Sequence, residues 1–163
     1  MTGSVLQINV SRGGVLKQAI AEGQVTALGI DGDGHAHPDI HGGPRQAVLL
    51  ITAEGIEELA ARGFPLFPGA LGENITTQGL DRRQWRSGQR WRIGADVVLE
   101  FTKVRGPCNT LLSYGTGIHA AIYDALVKAG DPASSKWGLS GFYASVIQSG
   151  IIRTGDPVVA CEE

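Results

Sequence analysis

A chain of 163 residues, 42% of them hydrophobic, is near the common size of one domain and can bury a proper core. A mean hydropathy of +0.01 excludes a disordered chain, and a formal net charge of -2 leaves no basic footprint for a nucleic acid. No apolar stretch approaches the roughly 20 residues of a membrane span, and two cysteines are too few for a disulfide framework. The expected setting is therefore reducing and cytoplasmic, and Met1-Thr2-Gly3-Ser4 lacks the basic and apolar segments of a signal peptide. Asn74-Ile75-Thr76 matches a glycosylation pattern and reads as coincidence. The 24 glycines, about twice the average share, call for many turns and hence short strands.

Leu6, Ile8 and Val10 alternate with Gln7 and Asn9, the period of a half-buried strand. Residues 15–20 and 24–30 read as two further strands joined through Glu22-Gly23, with Lys17 as a solvated edge charge on the plainest reading. Asp31-Gly32-Asp33-Gly34 opens like a calcium loop but lacks the later ligands, including the terminal Glu. In the loop 35–45, His35, His37 and His41 invite zinc. They lack the helical spacing that aligns histidine pairs, so zinc is the weaker reading. Gly42-Gly43 fits better as a close approach of backbone to a ligand or a strand, with Arg45 beside it as an anion-binding candidate.

Residues 46–51 form a continuous apolar run, the mark of a buried strand. Thr52 then caps a helix through about Arg62, with Ile56, Leu59 and Ala60 inward and Gly63 as its stop. Residues 64–72 have little regular structure and lead into the turn Gly72-Glu73-Asn74. The polar stretch 81–88 carries Trp85, and residues 89–94 and 96–102 read as a hairpin turning at Gly94-Ala95. A helix over 117–129 buries Ile118, Ala121, Ile122, Ala125 and Leu126, leaves His119 and Tyr123 solvated, and ends at Gly130. A loop at 131–140, a strand at 141–147 and a last strand at 157–160 complete what reads as a single domain over 1–163, without internal repeat or linker.

The stretch from Lys103 to Asn109 carries the chemistry. Gly106 and Pro107 break the strand and set Cys108 on a turn, three residues after Arg105. Turns after strands lie where backbone meets ligands, and a fixed guanidinium favours a nearby thiolate. Such a cysteine serves as a nucleophile, a sulfur carrier or a soft metal ligand; the plain alternative is a buried structural cysteine. A cysteine hydrolase would need an oriented base: nothing marks His119, the nearest histidine in sequence, as one, and pairing with His41 in space stays open.

Five motifs in order then become informative together: Ile40-His41-Gly42-Gly43-Pro44, Gly72-Glu73-Asn74, Gly88-Gln89-Arg90, Val104-Arg105-Gly106-Pro107-Cys108 and Gly155-Asp156-Pro157-Val158, after a leading Gly13-Gly14-Val15-Leu16-Lys17. Their order and spacing resemble the MOSC domain, found at the C-terminus of molybdenum cofactor sulfurases and in free-standing bacterial proteins. Val104 stands where the family has a proline, and Gln89 where it has an acidic residue. The resemblance implies a mainly β (α+β) fold, a β-barrel-like core with two or three peripheral helices. It also implies binding of the molybdenum cofactor (molybdopterin). Cys108 would then be the molybdenum ligand or the persulfide site. Lys17, Arg45 and Arg105 would lie near the pterin phosphate, while His41, the Gly42-Gly43 backbone and Asn74 would shape the pocket. Two functions follow: a reductase of N-hydroxylated compounds drawing on a separate electron donor protein, or a sulfur carrier or cofactor chaperone without turnover.

Overall fold

The structure, a computed structural model, describes residues 2–11, 17–34 and 43–162. Its centre is a sheet that closes on itself. β1 (Thr2–Val10), β5 (Val48–Thr52), β6 (Ile75–Gln78), β7 (Arg90–Ile93), β8 (Val97–Val104), β9 (Phe142–Gln148) and β11 (Pro157–Ala160) run in the order β11-β7-β8-β9-β5-β6-β1. Pairing of β1 with β11, Thr2 opposite Val159, completes the barrel. Closure removes the open edges that would invite pairing with another chain. β2 (Gln18–Ile20) extends β1, while β10 (Gly150–Arg153), β3 (Glu22–Thr26) and β4 (Gly29–Ile30) form a separate three-stranded sheet.

Among these pairs β5 and β6 alone run parallel, and the crossover between them carries α1 (Ala53–Ala61). A parallel pair needs such a crossover, and a helix laid on the sheet buries its outer face. That explains the unbroken apolar run of β5. Val48 and Leu50 face the barrel interior with Ile8, Ile75, Leu99, Phe101 and Phe142, whereas Ile51 packs outward against Ile56 and Leu59 of α1. Of the expected inner stripe, Ala60 is exposed and Ala53 and Gly55 are buried instead. The Thr52 hydroxyl accepts the Gly55 N–H at 3.1 Å, as its place before the helix predicts. Thr52→Ala is expected to cost about 1 kcal/mol, read from the urea midpoint at unchanged slope.

Several expectations change: β6 and β10 were not anticipated, and Glu22-Gly23, expected as a link, lies within β3. The stretch 24–30 is a hairpin, β3 turning into β4, because Gly29 adopts a φ of +121 that a continuous strand does not allow. The helix expected over 117–129 is two short helices, α2 (Ile118–Ile122) and α3 (Ala125–Lys128). Asp124 breaks it by capping α3, accepting the Val127 N–H at 2.9 Å, and its other oxygen accepts from the Ser134 hydroxyl at 2.7 Å. The break shifts the phase. Val127 goes inward, Leu126 is 45% exposed, and Tyr123 is half-buried against both core clusters.

Candidate functional site

β8 delivers the cysteine segment, and a bulge near its end sets which side chains face out. The register shifts between Phe101 and Lys103, so Phe101 and Val104 contact the core while Lys103 is exposed. Lys103 stands opposite Tyr143 of β9, with its Nζ 6.0 Å from the centre of that ring. The Thr102 hydroxyl donates to the Arg45 carbonyl at 2.6 Å and also lies 3.2 Å from the Tyr143 carbonyl, which ties the Pro44–Gln46 turn to the end of β8.

Past β8, Arg105 is locked at both backbone atoms. Its N–H donates to the Gly141 carbonyl at 2.9 Å, and its carbonyl accepts from the Ser140 hydroxyl at 2.7 Å. Gly141 has a φ of +97 and would place a Cβ 2.9 Å from the Leu50 carbonyl oxygen, so only glycine fits there. The Arg105 side chain is buried, not a surface cation. Nη1 donates to the Leu71 carbonyl at 2.5 Å, and Nη2 points at Cys108 Sγ from 3.8 Å.

Cys108 is half-buried and opens the 3-10 segment Asn109–Tyr114. Burial pushes its thiol pKa up, but the Thr110 hydroxyl 2.7 Å from Sγ and the Arg105 charge outweigh it, so the net shift is downward. His119, expected in solvent, is half-buried with Nε2 2.8 Å from the Cys108 carbonyl. A carbonyl only accepts, so Nε2 carries the proton and is spent on the backbone. Tyr143 belongs to the same electrostatic neighbourhood. Burial raises its pKa, the Arg105 charge opposes this, and the Cys108 charge adds to it.

The remaining expected residues are placed as follows. Asn74 is buried in the framework: its Oδ1 accepts the Leu49 N–H at 2.9 Å, and its Nδ2 donates to Asp33 Oδ2 at 2.8 Å. Lys17 is buried rather than solvated, its Nζ 2.5 Å from Asp33 Oδ1, which also accepts the Ser11 N–H. Both Asp33 oxygens thereby meet protein donors. Arg45 and Gly43 are exposed, and Gly43 has a φ of +86. His41 and Gly42 lie outside the described residues, as do His35 and His37. No group of three or more His, Cys, Asp or Glu suited to a metal ion occurs among the described residues. A separate polar groove lies where α1 begins, lined by Glu54, Arg82 and Ser134 among others, and shares none of the residues around Cys108.

The structure thus gathers Cys108, Arg105, Thr110 and Tyr143, with the exposed cations Lys103 and Arg45 connected to the same end of the barrel. Sequence reasoning missed Thr110, Tyr143 and Lys103. Thr110, two residues from the thiol, carried a local signal; Tyr143 reaches the site only through pairing of β8 with β9.

A family profile described as the MOSC domain matches residues 37–159. The chain belongs to the MOSC domain family. Over 146 residues this MOSC chain is 30% identical to the protein YiiM of Escherichia coli, covering 86% of the chain and 60% of YiiM. It is 27% identical to a protein of Gibberella moniliformis named "Reductase", covering 98% of the chain and 29% of that protein. The chain therefore spans less than two thirds of either curated relative. The crystal structure of YiiM from Geobacillus stearothermophilus superposes with a TM-score of 0.73 at 24% identity, covering 98% of this chain and 75% of that one, and shares the fold. Among the described residues no helix is long and apolar enough to cross a membrane.

In this MOSC chain the Cys108 thiol is expected to alkylate with a midpoint below the ordinary thiol value of about 8.5, and faster at neutral pH than Cys161. Iodoacetamide labelling across pH with peptide mass spectrometry reads both. Labelling of Cys108 only after unfolding would make it a core residue.

Proposed function

We propose that this chain binds a molybdopterin-type cofactor, with Cys108 as the molybdenum ligand, and reduces N-hydroxylated compounds with electrons from a separate donor protein. The observation that carries this reading is the Cys108 thiol. It is half-buried, shifted toward the thiolate by Thr110 and Arg105, and lies in a MOSC domain with a relative named a reductase. A thiolate is a soft ligand that suits a metal already bound by sulfur.

The donor set fits the group. Cys108 would hold the metal, and Arg105 and Thr110 would favour its thiolate form. Among the described residues, Arg45 and Lys103 are exposed cations connected to this end of the barrel and would meet a phosphate tail, whereas Lys17 is paired with Asp33 and Arg105 is turned to the thiol. Tyr143 would offer a ring face to a planar heterocycle. The parts assigned to His41 and Gly42-Gly43 in shaping the pocket rest on the motif. When bound, the cofactor supplies the two-electron chemistry, and the chain's residues position it and limit access of water.

The test is metal and pterin analysis of the protein purified from a host that makes the cofactor, followed by assay of N-hydroxy substrate reduction with a chemical electron donor. Stoichiometric molybdenum and pterin with turnover are expected. Protein free of both, with a persulfide on Cys108, would favour the sulfur-carrier reading. Protein free of cofactor and persulfide alike would remove both.

A further inference from the structure

Glu73 is wholly buried, and a buried carboxyl is expensive to desolvate unless its oxygens are used. One of them is used twice. Oε2 accepts the Gly69 N–H at 3.0 Å and the Thr76 hydroxyl at 2.9 Å. Between Gly69 and Glu73 lies a short turn, closed by the Gly72 N–H on the Gly69 carbonyl at 3.1 Å. Sterics set its first residue: Gly69 has a φ of +94, and a Cβ there would sit 2.7 Å from the Lys17 carbonyl oxygen. Hydrogen bonds from Glu73 set its end.

The two carbonyls within this turn both point at the cysteine segment. Leu71 accepts from Arg105 Nη1 at 2.5 Å, and Ala70 accepts from the Tyr114 hydroxyl at 2.6 Å. Arg105 lies before Cys108 in the chain and Tyr114 after it, so the turn grips the segment at both ends. We infer that Glu73 is a positioning residue for Cys108: by holding the 69–72 turn it aims the two carbonyls that clasp Arg105 and Tyr114 on either side of the thiol. This holds whether Cys108 ligates a metal or carries sulfur. Glu73 is buried and does not bond to the thiol; it reaches Cys108 through the turn and through its charge on Arg105 and Tyr114, and Glu73→Gln, which keeps the acceptor and removes the charge, separates the two.

Alkylation of Cys108 tests this, with Cys161 in the same molecule as the internal reference. Glu73→Gln keeps an amide oxygen able to accept from Gly69 and Thr76, and is expected to hold the Cys108 rate within about threefold of wild type. Glu73→Ala releases the turn and is expected to slow Cys108 about tenfold, since Arg105 is no longer aimed at the sulfur, while Cys161 is unchanged. Tyr114→Phe removes one clasp in a variant that keeps the ring's packing, and is expected to slow Cys108 about threefold. It decides the matter if Glu73→Ala does not fold. An unchanged or faster Cys108 in Tyr114→Phe or in folded Glu73→Ala overturns the inference. So does equal slowing of Cys161, or a Glu73→Gln variant as slow as Glu73→Ala.

Discussion

Cys108→Ser is expected to abolish metal-centred reduction while much of the cofactor content survives. Under the proposed function, the substitution swaps a soft thiolate for a weakly coordinating hydroxyl, while pterin affinity would come from phosphate contacts and packing instead. Arg45→Ala is the converse. It removes an exposed charge whose backbone stays tied by Thr102, so unfolding should shift by no more than about 0.5 kcal/mol. Cofactor retention should fall roughly ten- to a hundredfold, the equivalent of about 1.5–3 kcal/mol for a charge-assisted contact. Molybdenum and pterin content, N-hydroxy reduction and urea midpoints, measured together for each variant, separate the two effects. Full turnover in Cys108→Ser would remove the thiol from the metal site, and full retention in Arg45→Ala would remove the arginine from the anion site.

Asp33→Ala is expected to destabilise the fold by about 3–5 kcal/mol. The side chains of Lys17 and Asp33 are 6% and 2% exposed, so truncating the acid deprives a buried ammonium of the counter-charge it meets among the described residues. It also strips a partner from Asn74 and from the Ser11 N–H. Replacing the pair by apolar residues, Lys17→Met with Asp33→Leu, should recover much of the loss, because both desolvation penalties vanish together. Urea unfolding of the single and double variants gives the comparison. An Asp33→Ala loss below about 1 kcal/mol would mean that water reaches Lys17 in the folded state.

The division between what is legible in the residues and what is not follows the range of the interactions. Alternation in β1, the two-sided apolar run of β5, the Thr52 cap and the hairpin of β7 with β8 are readable, since each is set by neighbours a few positions away. The order of five motifs along the chain, the fourth ending in Cys108 and the fifth at Val158, pointed to the family. The break at Asp124 was not readable as such, because Ser134, ten positions on, shares that carboxylate with the cap. Lys17 looked like a surface charge until the fold brought Asp33 and Asn74 around it. Arg105 looked like a free anion-binding group until the 69–73 turn supplied a carbonyl that buries it beside the thiol. The sequence by itself determined β1, β5, the β7–β8 hairpin, the capped helix and the cysteine turn, but neither β6 nor β10. Only the tertiary structure decided which charges remain exposed, because closing the barrel sets which side chains lose water and which distant groups meet them.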